Sequence, residues 1–401
     1  MRILFADAFD DHGIEQLTSA GHQCELRPDL TGAELLSAIG GSDVLVVRST
    51  RVDAATIEAA DSLELIVRAG AGVNTIDCAA ASDHGVFVCN VPGRNAIAVA
   101  ELTMGLLLAV DRHIADATAD ARHGRWDKAR YSRADGLHGK TMAILGLGDI
   151  GLAVAERAKA FGIVVTALRK PDRSAEAEAR IRSIGIRLID DHDELISEAD
   201  ILSVHVPADP STEGLVDAQL LQLLGTDGVL INTSRGNVVD EAALLDALDA
   251  GLRAGLDVFA DEPGQSGAFE NRLAQHPNVV ATHHIGASTT QAQQAIAEGT
   301  VEVIEQYAGG RVLNCVNLET DRLGSCTLTV RHLDRVGVLA QVLAVLRANG
   351  HNVQQMENQV FRGGRAAVAT IRMDGFPQPG LATDLDQIND VLSATIRRHE
   401  P

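Results

Sequence analysis

The sequence contains few aromatic and few basic residues. Phe, Trp and Tyr make up 3% of its 401 residues, and only four residues are Lys. Acidic side chains outnumber basic ones, 55 to 34, which leaves a formal net charge of −21. We therefore do not expect a nucleic-acid partner bound through bulk positive charge. Hydrophobic residues still account for 46% of the chain, which is enough for two to four domains with aliphatic cores.

Cysteine is scarce as well, and long hydrophobic runs are absent. None of the five cysteines forms a CxxC pair, which argues against structural zinc and a disulfide framework; we interpret most of these thiols as small buried groups. They are Cys24, Cys78, Cys89, Cys315 and Cys326. The longest apolar stretch, within 96–110, is interrupted by Glu101 and is too short to span a bilayer. The N-terminal residues have the pattern of a strand rather than of a signal peptide. We expect a cytoplasmic protein with neither a metal nor a membrane partner.

Short apolar runs alternate with amphipathic segments along most of the chain. The first series of predicted strands begins at Ile3, Val44, Leu65 and Val86. The second begins at Lys140 and continues over 164–168, 187–189, 201–205, 229–233, 255–258 and 279–282. This rhythm is typical of βαβ units around a parallel sheet. Pro92 and Gly93 separate the two series. We predict one long helix over 96–124 and another over 289–308.

Residues 326–401 follow a different pattern. They predict a strand, a helix, two strands and a final helix over 383–392, followed by a short tail. This order indicates a small α+β domain of its own. A linker over 311–324 separates it from the preceding chain.

A glycine-rich turn stands at the beginning of the second series. Gly146, Gly148 and Gly151 follow a predicted strand and open a predicted helix, with Asp149 and Ile150 between them. In such a turn the glycines allow a tight bend and close approach of a pyrophosphate, and the helix N-terminus offers free N–H groups to the anion. An ordinary glycine turn is the alternative. The position between strand and helix favours dinucleotide binding.

The end of the next predicted strand bears on which dinucleotide binds. An acidic residue there would accept the ribose 2′-hydroxyl of NAD, but about 20 residues after the turn this chain has Arg169 and Lys170. Positive charge suits the 2′-phosphate of NADP. Alternatively, both cations are solvated loop residues. We expect NAD or NADP as the cofactor, with NADP at least accepted.

Three polar loops follow predicted strands of the second series and carry Arg235, Glu262 and His284. Ligands of a doubly wound sheet bind outside the carboxyl ends of the strands, so these loops can converge on a bound nicotinamide. A His that exchanges a proton, a Glu that favours its protonated form and an Arg that clamps a carboxylate suit hydride transfer between 2-hydroxy and 2-keto acids. Singly, each residue also fits a surface ion pair or a solvated position.

These motifs together resemble the D-isomer-specific 2-hydroxyacid dehydrogenases. The resemblance rests on Arg68–Asp77, Gly146–Gly151, Thr233–Glu241, Leu256–Pro263 and His284–Thr289, which occur in the family's order. It implies that Arg235, Glu262 and His284 are catalytic. It also implies a cofactor cleft lined by Gly146, Gly148, Asp149, Ile150, Gly151, Arg169, Val206, Thr233, Ser234, Asp257 and Gly286, with Asp257 at the nicotinamide carboxamide.

The resemblance also implies a fold and a division of the chain. The expected class is α/β, with two doubly wound parallel-sheet domains of the Rossmann or flavodoxin-like kind. Residues 1–95 and 287–315 would form the substrate domain and residues 96–286 the dinucleotide domain. Two departures from the family pattern concern the site: Arg169 replaces the usual Asp, and His283 stands where Pro is usual. We choose His284 over His283 because it aligns with the His-Ile-Gly motif.

Some members of the family act on 3-phosphoglycerate, whose phosphate requires additional cations. Arg48 and Arg68 end two strands of the first series and match positions that the resemblance assigns to substrate binding, and Asn95 lies at the first hinge. The basic segment 125–133 either reaches the phosphate across a subunit contact or is a solvated surface. We expect 3-phosphoglycerate or a related 2-hydroxy acid as the small-molecule substrate.

The segment from Leu328 to Leu339 resembles the start of an ACT domain, a small ferredoxin-like module that senses amino acids. Over 326–401 the resemblance implies a regulatory domain in which His332, Asp334 and Asn352 contact an L-serine effector between two subunits. Asp334 replaces the usual Asn, and its carboxylate would repel that of the ligand. A module that only mediates assembly is the alternative. We expect a homodimer or homotetramer.

Two other functions stay open. An NADPH-dependent glyoxylate or hydroxypyruvate reductase, or another D-2-hydroxyacid dehydrogenase, is favoured by Arg169. The C-terminal module and the pair Arg48 and Arg68 argue against it. A dinucleotide-sensing protein without turnover belongs to a different class. Retention of the Arg, Glu and His argues against such a sensor, which has no need of a proton relay.

Overall fold

A computed structural model describes residues 1–28, 30, 32–171, 173–263, 267–319, 324–375, 377–378 and 380–399. The chain divides into two compact units, Met1–Asn317 and Leu318–Pro401. Part of the predicted linker, residues 320–323, lies outside the described ranges. Within these ranges, no helix combines the length and apolar character needed to cross a bilayer.

The first sheet of the larger unit is entirely parallel. Its strands are β1 Arg2–Phe5, β2 Gln23–Leu26, β3 Val44–Val47, β4 Leu65–Arg68 and β5 Phe87–Asn90. The connecting helices are α1 Asp11–Ser19, α2 Gly32–Ala38, α3 Ala54–Glu58 and α4 Cys78–Asp83. The strand order β2-β1-β3-β4-β5 is that of a flavodoxin-like, doubly wound sheet. Strand β2 was not predicted, because its partly exposed residues at the sheet edge lack a continuous apolar run.

The second sheet is also parallel and has seven strands. They are β6 Thr141–Leu145, β7 Val164–Leu168, β8 Arg187–Ile189, β9 Ile201–Val204, β10 Val229–Asn232, β11 Arg253–Leu256 and β12 Val279–Ala281. The helices are α5 Ala96–Asp111, α6 Ile114–Arg122, α7 Lys128–Tyr131, α8 Asp149–Ala160, α9 Ala175–Ile184, α10 His192–Ser197, α11 Ala218–Leu224 and α12 Glu241–Ala250. The order β12-β11-β10-β9-β6-β7-β8 reverses between β6 and β9. A doubly wound sheet binds its ligands at that reversal.

Helix α13, Thr290–Ala308, follows the second sheet in the chain but packs on the first. Its buried residues Ile296, Val303 and Ile304 belong to the same apolar cluster as Phe5 and Val67. The two predicted parallel sheets are thus confirmed. The domain boundaries near residues 95 and 286 stay predictions.

The long helix predicted over 96–124 is wrong, because two helices occupy this range. Helix α5 ends at Asp111 and α6 begins at Ile114. His113, between them, has φ of 51°. A residue in this left-handed conformation cannot continue a right-handed helix, so the apolar pattern extends across a break that it does not reveal.

The smaller unit is built on an antiparallel sheet. Its elements are β13 Cys326–Leu333, α14 Val338–Ala348, β14 Val353–Val360, β15 Ala366–Met373, α15 Leu381–Asp386 and β16 Val391–Arg398. The strand order β14-β15-β13-β16 completes a βαββαβ, ferredoxin-like arrangement. The predicted final helix and tail are wrong beyond Asp386. Residues 391–398 pair along β13, a non-local contact that outweighs their helical spacing.

Candidate active site

The glycine-rich turn joins β6 to α8. Gly146 has φ of +96°, and a Cβ atom on it would lie 2.5 Å from the carbonyl oxygen of His205. A Cβ atom on Gly151 would lie 2.0 Å from the carbonyl oxygen of Gly146. Gly148 is the N-cap of α8, and Asp149 is its first residue. Bare backbone at a helix N-terminus is the arrangement that accommodates a pyrophosphate, so the turn fits a dinucleotide.

Other predicted cofactor residues lie at the same edge of the second sheet. Val206 follows β9, and Thr233 and Ser234 follow β10. The Thr233 hydroxyl hydrogen-bonds that of Thr103 at 3.0 Å, and the Ser234 hydroxyl donates to Asn232 Oδ1 at 2.8 Å. These internal hydrogen bonds hold the loop that leads into Arg235.

Arg169, at the end of β7, contacts a carboxylate at the end of the neighbouring strand β8, a pair that the sequence analysis did not connect. Arg169 Nε donates to Asp190 Oδ1 at 2.6 Å, because β7 and β8 are neighbours and the two residues directly follow them. Nearby, Arg173 Nη2 donates to the carbonyl oxygen of Leu168 at 2.8 Å. Arg173 Nη1 is buried and has no hydrogen-bond partner among the described residues. Among the described residues, this corner holds the guanidinium groups of Arg169 and Arg173, with the carboxylate of Asp190 beside the first and that of Glu178 acting on the second.

His284 and Glu262 form a direct contact. The distance between His284 Nδ1 and Glu262 Oε2 is 2.6 Å, and Glu262 Oε1 accepts the N–H of Phe259 at 2.9 Å. Burial alone would raise the pKa of Glu262, but these two hydrogen bonds and the positive charges of His284 and Arg235 together lower it. Glu262 is therefore a carboxylate at neutral pH. It engages Nδ1 of the imidazole and leaves Nε2 as the nitrogen that can exchange a proton elsewhere.

The loop that carries His284 is held by Asp257, which is 1% exposed. The Asp257 carboxylate accepts the Thr282 hydroxyl at 2.5 Å and the N–H groups of Ile285 and Gly286 at 2.9 Å each. The Asp257 carbonyl accepts the N–H of His284 at 2.8 Å. These bonds support the positive φ of His284, 52°, which is unusual for a non-glycine residue. Three protein donors thus already engage the carboxylate predicted to meet the nicotinamide carboxamide.

Arg235 reaches from the second sheet to the glycine turn that follows β4. A Cβ atom on Gly72 would lie 2.6 Å from Arg235 Nη2, and Arg235 Nη1 donates to the Ser234 carbonyl at 2.7 Å. Burial lowers the pKa of Arg235, and the charge of Glu262 partly offsets this. Arg235, Glu262 and His284 therefore belong to one electrostatic group beside the first sheet.

Two predicted substrate residues of the first sheet join Arg235. Burial and the positive charges of Arg235 and Arg48 lower the pKa of Arg68 to about 10, against the opposing effect of the Asp7 carboxylate. Arg68 Nε is buried without a hydrogen-bond partner among the described residues, and so is Asn95 Oδ1. Three neighbouring guanidinium groups repel one another unless an anion lies between them. The arrangement therefore suits a substrate with more than one negative group.

Comparisons with known proteins agree with this geometry. The sequence profile described as "D-isomer specific 2-hydroxyacid dehydrogenase, NAD binding domain" matches residues 104–286. A hydroxypyruvate reductase of Thermotoga maritima is 41% identical over 281 residues, which cover 69% of this chain and 88% of that protein. The chain belongs to the D-isomer specific 2-hydroxyacid dehydrogenase family.

Relatives within the family differ in their named activities. A D-3-phosphoglycerate dehydrogenase of Methanocaldococcus jannaschii is 40% identical over 331 residues, or 81% of this chain and 61% of that protein. The chain thus spans about three fifths of that relative's length. The solved structure of an NADPH-dependent glyoxylate/hydroxypyruvate reductase from Sinorhizobium meliloti, in complex with NADP and malonate, is 29% identical with a TM-score of 0.67. It matches over 79% of this chain and 96% of that one.

The basic segment 125–133 of this family member is engaged elsewhere. Arg125 and Arg130 pair with Asp120 at 2.6 and 3.6 Å, and the Tyr131 hydroxyl donates to the same carboxylate at 2.7 Å. Trp126, beside them, is 89% exposed. Two of the four cations in this segment, Arg125 and Arg130, are thus paired with a neighbouring carboxylate rather than aimed at Arg68 or Arg235.

The predicted effector residues of the smaller unit differ in their surroundings. His332 is buried, with Nδ1 at 2.8 Å from the Leu333 carbonyl and Nε2 at 3.1 Å from Asn358 Oδ1. Asp334 is exposed, and the Asn352 carbonyl accepts the N–H of Asp374 at 3.1 Å. Sequence reasoning missed Asn358, because it lies on a different strand from His332 and no local motif connects the two.

Proposed function

We propose that the chain is a D-3-phosphoglycerate dehydrogenase of L-serine biosynthesis, which exchanges hydride between NAD or NADP and the 3-phosphoglycerate/3-phosphohydroxypyruvate pair. The observation that carries the proposal is the 2.6 Å contact between His284 and Glu262, beside the guanidinium of Arg235. The name of the Methanocaldococcus jannaschii relative supports the choice of substrate. When bound, the dinucleotide supplies or accepts the hydride at its nicotinamide ring.

His284 is the proposed acid and base. Glu262 engages Nδ1 of the imidazole, so Nε2 is the nitrogen that donates a proton to the carbonyl oxygen when the keto acid is reduced. In the opposite direction Nε2 takes the hydroxyl proton. Asp257 contributes by holding the backbone of the His284 loop, in addition to its proposed contact with the nicotinamide carboxamide.

The arginines bind and orient the substrate in this proposal. Arg235 pairs with the substrate carboxylate and polarises the keto oxygen. Arg48 and Arg68 bind the phosphate, with Asn95 as a further polar contact. Arg68 Nε, a buried donor without a partner among the described residues, supports this assignment, since buried polar atoms without partners are otherwise costly.

The dinucleotide occupies the proposed cleft along Gly146–Gly151, Val206, Thr233–Ser234, Asp257 and Gly286. Arg169 approaches the adenosine ribose, and Arg173 adds a second guanidinium there. We propose that NADP is accepted as well as NAD, because Arg173 Nη1 is buried without a hydrogen-bond partner among the described residues, beside the exposed pair of Arg169 with Asp190. Replacing Arg169 by Asp is expected to shift the ratio of kcat/KM values towards NAD, and an unchanged ratio would remove its role.

The proposed division of the chain assigns residues 1–95 and 287–315 to substrate, 96–286 to the dinucleotide and 326–401 to an ACT regulatory domain. The ferredoxin-like order of the last unit supports the ACT assignment. L-serine is the proposed effector, with contacts from His332, Asp334 and Asn352. A cytoplasmic homodimer or homotetramer is the proposed assembly.

An NADPH-dependent hydroxypyruvate or glyoxylate reductase is the second candidate. Arg169 favours it, and so do the names of the Thermotoga maritima and Sinorhizobium meliloti relatives. The two candidates differ in what Arg48 and Arg68 are for. Only a phosphorylated substrate needs both.

The deciding experiment compares reductase rates with NADH and NADPH on phosphohydroxypyruvate, hydroxypyruvate and glyoxylate, with and without L-serine. We expect the phosphorylated acid to have the highest kcat/KM and L-serine to lower its rate. Preference for hydroxypyruvate or glyoxylate would favour the second candidate, and lack of turnover on all three would favour a dinucleotide sensor.

The variant His284→Asn tests the acid–base assignment. It should lower kcat by about 10²- to 10⁴-fold, the usual contribution of general acid–base catalysis. The adjacent His283→Asn is the matched control and should retain most of the activity. The reverse result would transfer the role to His283.

A further inference from the structure

The first sheet contains a pair of cysteines that are far apart in sequence and adjacent in space. Cys89 lies in β5, and Cys315 lies in the segment that returns from α13. The two residues form an isolated antiparallel bridge. Both are free thiols, Cys89 fully buried and Cys315 partly buried. Neither has a part in the proposed chemistry.

The backbone register brings the two side chains together. The N–H of Asn90 donates to the Asn314 carbonyl at 3.2 Å, and the N–H of Val316 donates to the Val88 carbonyl at 2.8 Å. These bonds flank the cysteines, so Cys89 and Cys315 are a non-hydrogen-bonded pair. In such pairs the Cα atoms are about 4.5 Å apart, which lies within the range that disulfides span.

The Cys315 thiol donates a hydrogen bond to Asn317 Oδ1 at 3.2 Å. Cys315 also lies close enough to Cys89 for its charge to act on that thiol. Burial, together with the charge of Cys315, raises the pKa of Cys89 to about 12. Cys89 is therefore a buried, protonated thiol, and the more accessible Cys315 is the one that a reagent meets first.

We propose that Cys89 and Cys315 form a reversible intramolecular disulfide that ties the segment returning from α13 to β5. The oxidant is a small organic disulfide. The Cys315 thiolate attacks one of its sulfurs and releases one small thiolate. The Cys89 thiol then loses its proton to solvent, attacks the Cys315 sulfur and releases the second. Two protein thiols are oxidised and one small disulfide is reduced to two thiols.

The location of this bond determines its effect. It would close a loop over residues 90–314, which contains the whole second sheet. It would also fix the chain just before residue 317, where the larger unit ends. Closing a long loop restricts the unfolded chain, so the oxidised protein should be the more stable form.

The full chain, first reduced, is exposed to oxidised glutathione, and free thiols are counted after denaturation. The count should fall from five by two, and peptide mapping should recover the Cys89 and Cys315 peptides linked. The thermal midpoint should rise by about 5 °C. A reductant should reverse both changes.

Single variants define the pair. Cys315→Ser should keep its remaining thiols and show no rise in the thermal midpoint. Cys24→Ser, a control in the same sheet, should still lose two thiols. Cys78 is the competing partner, since the charge of Cys315 acts on it as well. Three results would overturn the proposal: an unchanged thiol count, a bond from Cys315 to Cys78, or a stable glutathione adduct on Cys315.

Discussion

The two glycine-rich turns of the larger unit need glycine for different reasons. After β6, the Cβ atoms absent from Gly146 and Gly151 leave space for backbone, namely the carbonyl oxygens of His205 and Gly146. After β4, the Cβ atoms absent from Gly70 and Gly72 leave space for the guanidinium groups of Arg68 and Arg235. Backbone cannot move away without breaking hydrogen bonds, whereas the end of an arginine side chain can. Gly146 and Gly151 are therefore required by the backbone of the fold itself, and Gly70 and Gly72 by the placement of two site side chains.

The largest effect is expected for Gly151→Ala. Its φ is not positive, so the substitution tests space alone, and its Cβ atom would lie 2.0 Å from the Gly146 carbonyl oxygen. We expect the free energy of unfolding to fall by about 3 kcal/mol, as for a severe case of overpacking. Urea denaturation measures this change. Gly148→Ala is the control, because no atom lies within 4 Å of its Cβ position. Equal losses in both variants would contradict the backbone argument.

Arg68→Met should separate stability from function. The substitution removes a buried guanidinium that Arg48 and Arg235 repel, so we expect the protein to gain about 1 kcal/mol of stability. The value of kcat/KM for the phosphorylated substrate should fall by about 100-fold, the loss of one strong ionic contact. Denaturation and steady-state kinetics measure the two effects.

The exposed Arg51 provides the control for that variant, since Arg51→Met should change neither quantity. A loss of stability in Arg68→Met would show that Arg68 is held by contacts that outweigh its repulsion. If Arg68→Met is more stable than the wild type only below about pH 10, the result would support the repulsion between the charged arginines. Because the pKa of Arg68 is lowered to about 10, the unfolded state binds more protons above that pH, and wild-type stability rises there.

Gly72→Ala should affect the site more than the fold. Its Cβ atom would lie 2.6 Å from Arg235 Nη2, and the guanidinium can yield by a small displacement. We expect kcat/KM to fall by about tenfold, since small misplacements of a positioned group are costly, and the urea midpoint to stay nearly unchanged. Gly40→Ala, whose Cβ position has no neighbour within 4 Å, should change neither kcat/KM nor the urea midpoint. A large loss of stability in Gly72→Ala would show that the fold needs glycine in the turn after β4 as it does in the turn after β6.

The smallest expected effect is the loss, at acidic pH, of the stability that Glu262 contributes. The lowered pKa of Glu262 means that the folded protein holds this carboxylate ionised to lower pH than the unfolded chain does. Its contribution to stability is therefore present above the unfolded pKa and is lost as the pH falls through the folded pKa. The difference in stability between the wild type and Glu262→Gln should begin to shrink as the pH falls below about 4.3, the pKa of Glu in the unfolded chain. A constant difference down to pH 2 would exclude this contribution.

The sequence predicted the elements whose signals are local. Apolar runs such as Val44–Val47 become fully buried parallel strands, and glycine after a strand opens α8. Less local features were missed. Edge strand β2 has no continuous apolar run, and β16 forms only because it pairs with β13. The break at His113 depends on the backbone conformation of that residue, which hydrophobic periodicity does not indicate.

The same distinction between local and non-local features applies to the candidate site. Arg235, Glu262 and His284 were found by their positions after strands and by resemblance to a family. The contact of Arg169 with Asp190 was missed, since it arises from two strands that are neighbours in the sheet but separated by a helix. Likewise, most of the five scattered cysteines were interpreted as small buried groups, and the facing of two of them across a bridge was missed.

By itself, the sequence determined the types of the sheets, the glycine turn and the identities of the groups that can move a proton or bind an anion. These properties depend on hydrophobic periodicity and on side-chain chemistry, both of which can be identified from the order of residues alone. Only the tertiary structure decided which charges act on one another. It placed Arg48, Arg68 and Arg235 together, set His284 against Glu262 and brought Cys89 to Cys315. Electrostatic and covalent interactions depend on distance in space, which strand order and register determine.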